Sequence, residues 1–270
     1  MNGQPSTGTK GRSGARPLAL VTGASAGIGE AFARAYAARS YDLALVARRA
    51  DRLEALAGRI RGDGGQVEAR QLDVTNREEV SALADSLERC DVVISNAGGA
   101  IGTETVAAGS PADWRAMFEV NVIGTLQVIQ ALLPKLIASG AGTVVVMSST
   151  AGYVAYEGGG GYVAAKHAEH GLAATLRLEL FDQPVRVIEI APGMVKTDEF
   201  ALNRYHGDAE KAAAVYAGVA HPLTAGDVAD AIAWAVTRPA HVNVDLMVLR
   251  PRAQAAQHKV FRQSEPAETS

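Results

Sequence analysis

The sequence predicts a doubly wound α/β fold, a seven-stranded and mostly parallel sheet forming a single domain over residues 17–251. Three observations predict it. Short apolar runs alternate with longer segments of helical period. The runs are nearly continuous in Val, Ile and Leu, as strands covered on both faces are. Every chemically distinctive motif falls at the end of such a run or in the helix after it, where ligands of open parallel sheets bind. A chain of 270 residues is also long enough for two small domains, and the regular alternation favours one.

The first strand is read from "PLALVTG" (17–23), and Ile28, Phe32, Ala35 and Tyr36 repeat at helical spacing after it. "YDLALVAR" (41–48), "GQVEARQLD" (65–73), "DVVISNAG" (91–98) and "GTVVVMSS" (142–149) follow as strands. "PVRVIEIAPG" (184–193) and "VNVDLMVLRP" (242–251) complete the seven. Before the last, Val228, Ala231, Ile232 and Ala235 mark a helix that Thr224 and Asp227 open as a capping box.

Hydrophobic residues at 48%, charged residues at 20% and a net charge of -3 describe an ordinary globular chain with no electrostatic case for nucleic acid or an anionic membrane. No apolar run approaches the ~18 residues of a membrane span. A single cysteine, Cys90, excludes an internal disulfide framework and Cys-rich zinc motifs, and fits a reducing cytoplasm. Residues 1–16 are basic, Gly/Ser/Thr-rich and lack the apolar core of a secretory signal, so they are expected to be a disordered tail. Residues 252–270 form a C-terminal tail. The expected partner is a small molecule.

"TGASAGIG" (22–29) sets Gly23, Gly27 and Gly29 in a strand-to-helix turn. Glycine lets backbone approach a pyrophosphate, and the helix N-terminus offers unpaired N–H groups and a positive dipole end. Roughly 20 residues on, such a Rossmann-type fold chooses between a carboxylate for a ribose hydroxyl and arginine for a 2'-phosphate. Here stand Arg48 and Arg49, whose guanidinium forks match phosphate, so NADP(H) is the expected cofactor. Asp73 is placed to accept from the adenine amino group, with Val74 beside the ring. "SNAGG" (95–99) ends the fourth strand with small residues that admit a flat cofactor.

Tyr162 and Lys166 are four apart, and on a helix they share a face. A phenol near pKa 10 is a poor acid at neutral pH, and a nearby ammonium favours its ionised form. Reducing a carbonyl needs one proton donated to the developing alkoxide and one donor polarising it, which Tyr162 and a serine hydroxyl can supply. The four glycines before Tyr162 permit the intervening loop to fold tightly over the site. The two histidines of "HAEH" (167–170) are read as helix-face residues, with no metal expected.

Taken in order, T-G-x-x-x-G-I-G from Thr22 to Gly29, N-A-G at Asn96, Ala97 and Gly98, Asn121 in "NVIG", Ser149, Tyr162, Lys166, and Pro192 with Gly193 resemble the short-chain dehydrogenase/reductase family over residues 17–251. The resemblance implies that Tyr162 is the acid/base, that Ser149 polarises the carbonyl and that Lys166 also binds the nicotinamide ribose. Asn121 would support a proton relay through water. It also implies cofactor contacts at Ser25, Ile28, Val195 and Thr197. Two positions depart from the family. Ala26 stands where NADP-using members often carry a basic residue, which leaves the 2'-phosphate to Arg48, Arg49 and Ser25. Ser95 replaces the first asparagine of N-N-A-G.

The second half, from "STAGYVAYEGGGGYVAAK" to "RPAHVNVDLMVLRPRAQ", is similar to NADP-dependent 3-hydroxy acid dehydrogenases of the serine 3-dehydrogenase type. That resemblance implies a small 3-hydroxy acid or its semialdehyde as substrate, and a homotetramer or dimer. A carboxylate substrate needs a cation after Pro192, and Lys196 and Arg204 are available. "RAQAAQHKVFR" has the length and apolar points to reach a neighbouring subunit. Two rival readings stand: a reductase of bulkier ketones or aldehydes, which the apolar "YVAY" stretch favours, and a catalytically silent NADP(H)-sensing regulator, which would not need a proton donor.

Overall fold

Why the apolar runs become strands is visible in their alternation. In β1 (Leu18–Thr22), Ala19 and Val21 join one hydrophobic core while Leu20 joins another on the opposite side. A strand with two apolar faces must be covered twice, and the chain returns through a helix after almost every strand. In the computed structural model, which describes residues 16–263, the order is β1, α1 (Gly27–Ala37), β2 (Asp42–Ala47), α2 (Ala50–Gly62), β3 (Val67–Gln71), α3 (Arg77–Ser86) and β4 (Val92–Ser95). Then come α4 (Pro111–Phe118), a π-helical turn (Glu119–Ile123), α5 (Gly124–Ser139), β5 (Gly142–Met147), a short 3-10 turn (Thr150–Gly152), α6 (Gly160–Glu179) and β6 (Val185–Pro192). A lid follows, with β7 (Val195–Lys196), α7 (Phe200–Arg204), α8 (Ala209–Ala214) and β8 (Leu223–Thr224). The last elements are α9 (Ala225–Val236), β9 (Leu246–Leu249), β10 (Gln254–Ala256) and β11 (Lys259–Val260).

The main sheet has seven strands in the order β3-β2-β1-β4-β5-β6-β9, every neighbouring pair parallel. Phe32 and Tyr36 of α1, Leu53 and Leu56 of α2, and Val228 and Ile232 of α9 pack on one face. Val80 and Leu83 of α3, Ile129 and Leu132 of α5, and Ala173 of α6 pack on the other. This is the doubly wound, single-domain architecture the sequence predicts. The capping box of α9 is present, Thr224 Oγ1 accepting from Asp227 N while Asp227 accepts from Thr224 N.

The expectation that no apolar segment is long enough for a membrane span needs a correction. Pro111–Ser139, running through α4, the π-turn and α5, is long and apolar enough by composition. Its apolar character has another outlet here, because Val128, Ile129, Leu132 and Leu136 are buried against the sheet and α3. The expected N-terminal tail lies outside the described residues except for Arg16. Of the C-terminal tail, residues 252–263 fold back as the β10–β11 hairpin onto the lid of the same chain, where Gln263 N donates to Gly218 O at 2.7 Å.

Candidate active site

The strand order reverses between β1 and β4, and a cleft of about 1440 Å³ lies over the strand ends there. Its floor begins at the glycine turn. Gly23 and Gly27 have φ of +64° and +57°, in the left-handed region that favours glycine, and a Cβ on Gly23 would sit 2.9 Å from Ala97 Cα. Gly29 lies behind the cleft, packed against Gly23 O. Ala26 opens α1 with no side-chain cap, so the first amides of that helix keep their donors for a ligand, and Ser25, Gly27 and Ile28 line the cleft beside it. A turn closed to side chains at Gly23 and Gly29 and held left-handed at Gly27, with uncapped helix N–H groups beside it, fits the pyrophosphate of a dinucleotide.

The neighbouring strand braces this turn. Thr22 Oγ1 accepts from the backbone N of Asn96 and of Ala97, both at 2.9 Å, and Asn96 Nδ2 donates to Thr22 O at 3.0 Å. Asn96 therefore holds the glycine turn with its side chain, while Ala97 and Gly98 line the cleft with it. Asp73 and Val74, the expected adenine contacts, line the cleft beside Arg48. Asp73 Oδ1 already accepts from Thr75 N and Oγ1, at 3.0 and 2.8 Å. Arg48 and Arg49 both border the cleft and differ in environment. Arg48 is exposed. Arg49 donates to Ser25 Oγ at 3.0 Å and forks onto both carboxylate oxygens of Glu199, at 2.6 Å each, and Arg52 reaches the same carboxylate. Glu199 thus stands on the guanidinium that the sequence offers for a 2'-phosphate. The hydrogen bonds hold Arg49 above and Glu199 below their usual ranges.

At the other end, α6 carries Tyr162 and Lys166 on one buried face, as their spacing requires. Ser149 caps the 3-10 turn, accepting from Ala151 N at 3.1 Å and donating to Pro192 O at 3.3 Å. Burial pushes the Tyr162 phenol above its ordinary value, and the Lys166 ammonium and then the Ser149 hydroxyl draw it part of the way back. The lysine acts in the expected direction, and burial outweighs it. Glu169, which the sequence does not single out for a role, adds a smaller push in the same direction as burial. Lys166 Nζ donates to Met147 O at 2.7 Å and to Glu169 Oε2 at 2.5 Å, in a pair whose side chains are 6% and 1% exposed. Burial pushes the Glu169 carboxyl up to about 7, against the pull of Lys166.

Asn121 does not line the cleft. It sits in the π-turn, where the widened helix leaves Met117 O to be satisfied by Asn121 Nδ2 at 2.7 Å. The same side chain donates to Gly99 O at 3.0 Å and accepts from Gly99 N at 3.2 Å, which fixes the strand-end segment behind Gly98. Ser95, the departure from N-N-A-G, is buried and donates to Thr125 Oγ1 at 2.9 Å. Thr125 Oγ1 in turn lies 3.4 Å from Glu169 Oε1.

The four glycines have two uses. Gly158 takes a φ of +69° against Thr103. Gly160 and Gly161 are the first turn of α6, and a Cβ on either would strike the Trp114 ring of α4, at 2.7 Å for Gly160. Bare backbone lets α6 start against α4, which places Tyr162 over Met117 and Ala100 in a small core of its own. Between the two candidate cations, the structure separates Arg204 from Lys196. Arg204 lines the cleft, donating to Tyr156 Oη at 3.2 Å and Gly158 O at 2.8 Å, whereas Lys196 is exposed outside it. Pro192, Gly193, Val195 and Thr197 all line the cleft. Phe200 meets the Tyr162 ring edge-on at 5.7 Å. Gln254 of the hairpin accepts from Met194 N at 2.8 Å, so the C-terminal segment braces the lid.

Comparison with known proteins agrees with this geometry. The family described as short chain dehydrogenase matches residues 17–206. An uncharacterised oxidoreductase of Mycobacterium tuberculosis (strain ATCC 25618 / H37Rv) is 53% identical over 239 residues, which is 88% of this chain and 92% of that protein. The serine 3-dehydrogenase of Agrobacterium fabrum is 36% identical, covering 91% of this chain and 98% of its own. The closed form of serine dehydrogenase complexed with NADP+ superposes with a TM-score of 0.85 at 34% identity, over 91% of this chain and all of that one. Fold, ordered motifs and family match coincide, and the chain belongs to the short-chain dehydrogenase family.

Proposed function

We propose that this chain is an NADP(H)-dependent oxidoreductase that interconverts an alcohol and a carbonyl, with a small 3-hydroxy acid or its semialdehyde as substrate. One observation carries the reading: a tyrosine, its lysine and a serine converge in the same cleft as a glycine turn shaped for a dinucleotide, with Arg204 in the wall. Relatives named NADP-dependent 3-hydroxy acid dehydrogenase support it. Gly23, Gly27 and the N-terminus of α1 would hold the pyrophosphate, Asp73 and Val74 the adenine end, and Arg49 with Ser25 the 2'-phosphate. The bound cofactor supplies or accepts the hydride.

The protein's part is proton transfer and orientation. In oxidation, the Tyr162 phenolate takes the hydroxyl proton of the substrate, and Ser149 holds the same oxygen. In reduction the proton runs the other way. Lys166, with two of its three N–H bonds committed to Met147 O and Glu169, keeps one for a ribose hydroxyl or water. Arg204 uses three of its five N–H bonds on Gly102 O, Tyr156 Oη and Gly158 O, and the remaining two would receive the substrate carboxylate.

The test is NADP+ and NAD+ reduction with L-serine, L-allo-threonine and 3-hydroxypropionate beside bulky secondary alcohols, on wild type and Tyr162→Phe. Turnover of the acids with NADP+, reduced ~10²–10⁴-fold in the variant, is the expected result. Activity confined to bulky alcohols would move the substrate to the second reading, which the aromatic wall of Tyr156 and Phe200 favours. Tight NADP+ binding without turnover would point to the sensor. A homo-oligomer is part of the proposal: Leu178 and Phe181 near the end of α6 are 76% and 86% exposed, and Leu246 and Val248 lie on the open edge strand. A monomeric mass in solution would remove it. The one cysteine is buried, consistent with a working place in the cytoplasm.

A further inference from the structure

The face of α6 that carries Tyr162 and Lys166 continues one turn further to Glu169, three residues past the lysine. A carboxylate with 1% side-chain exposure is costly to keep in a core. Its partners account for it: Lys166 Nζ at 2.5 Å on one oxygen and the Thr125 hydroxyl at 3.4 Å on the other, with Ser95 behind Thr125. The family assignment uses none of these contacts. We propose that Glu169 is a positioning residue acting through Lys166: its carboxylate clamps the ammonium between itself and Met147 O, and offsets part of the positive charge that Tyr162 would otherwise experience. This rests on Tyr162 being the acid/base of the proposed reaction.

The direction of the effect follows from charge. The titratable groups facing Glu169 are Lys166 and Tyr162 on its own helix and Glu189 on β6, which His170 and, through it, Tyr153 adjoin. Tyr162 has Tyr156 as a further neighbour. From α5 and β4 come only the hydroxyls of Thr125 and Ser95, and from β5 the Met147 carbonyl. Removing one negative charge from this group makes every remaining proton easier to lose. Tyr162 and Lys166 then lose their protons at lower pH, the phenol becoming charged and the ammonium neutral, whichever of the two releases its proton first.

The experiment compares Glu169→Gln, which keeps an acceptor for Lys166 and loses the charge, with Glu169→Asp, which keeps the charge. Two readouts are taken. The first is the pH dependence of kcat for alcohol oxidation. The second is the tyrosinate absorbance titration of the ligand-free protein, each variant read against the same variant carrying Tyr162→Phe. The expected result is that both curves move down by about one pH unit or more in Glu169→Gln, and stay near wild type in Glu169→Asp. Should the glutamine variant fold poorly, Glu169→Leu removes the same charge and must move the curves the same way. Curves at the wild-type pH in a folded, uncharged variant would overturn the proposal. If no alcohol is turned over at all, the proposed reaction fails, and the tyrosinate titration still decides the influence of Glu169 on Tyr162.

Discussion

Both ends of the cleft hold a cation facing a carboxylate, and the two pairs differ in almost everything else. Lys166 and Glu169 lie three residues apart on one helix, buried to 6% and 1% side-chain exposure. Arg49 and Glu199 come from the end of β2 and from the lid, with 41% and 20% of their side chains exposed. The first pair is fixed by the helix that carries it. The second exists only while the lid rests where it does. Burial makes a charge expensive to leave alone, whereas exposure lets water replace a lost partner. The lysine pair should therefore govern stability and proton transfer, and the arginine pair cofactor selection.

Breaking each pair from its cationic side tests that contrast, and the largest effect is expected at Lys166. Lys166→Met leaves a buried carboxylate without its ammonium, a change that costs about 3–5 kcal/mol in comparable buried pairs. The cost should depend on pH. The folded Glu169 carboxyl sits at about 7, above its unfolded value of 4.5, so the folded state binds the extra proton between them. Its contribution to stability is thus complete below pH 4.5 and is lost as pH rises through about 7. Without Lys166 the carboxyl climbs further, so denaturant midpoints should diverge most from wild type above pH 7 and converge in acid. A pH-independent loss would mean that Glu169 stays ionised, and that the pair is held by packing instead.

Arg49→Ala should come next in size and fall on a different observable. An exposed pair contributes up to about 1 kcal/mol, so the denaturant midpoint should move little. Hydrogen bonds to a charged group are worth about 1.5–3 kcal/mol each, so the Kd for NADP+ should rise roughly tenfold or more while that for NAD+ changes little. Equal losses for both cofactors, measured by fluorescence titration, would assign the 2'-phosphate to Arg48 instead.

How much of this was legible in the sequence follows the same division. The seven strands are continuous Val/Ile/Leu runs, and the Tyr-x-x-x-Lys face is a matter of helical spacing, so both are visible from local pattern. The ends of the runs are less so. The run read as 65–73 forms a strand only over Val67–Gln71, because pairing with β2 ends at Ala47. Glu169 has a local signal, an acid three residues from a lysine inside an apolar helix face, and could have been found. Glu199 has none: it is 150 positions from Arg49, in a lid whose course no periodicity sets. The four glycines look like a flexible loop in sequence, and only the placement of Trp114 explains two of them as room for a neighbouring helix.

The smallest effect, and the sharpest for the comparison, is expected from the anionic side of the exposed pair. Glu199 makes a bidentate contact with Arg49 and also meets Arg52, so it latches the lid and, under the proposed cofactor placement, is the group a 2'-phosphate would displace. Glu199→Gln weakens the latch and leaves Arg49 in place with Ser25. Because the carboxylate competes with the incoming phosphate, its loss should lower the Kd for NADP+ by a few-fold, consistent with an exposed pair worth under about 1 kcal/mol. The gain should be confined to NADP+ and shrink as salt rises, since screening weakens the latch in the wild type too. An equal gain for NAD+ would show that the latch gates the whole cleft and does not compete for one phosphate. A loss for NADP+ would place Glu199 among the groups that hold Arg49 in its binding posture, and the exposed pair would then be as much a part of the site's architecture as the buried one.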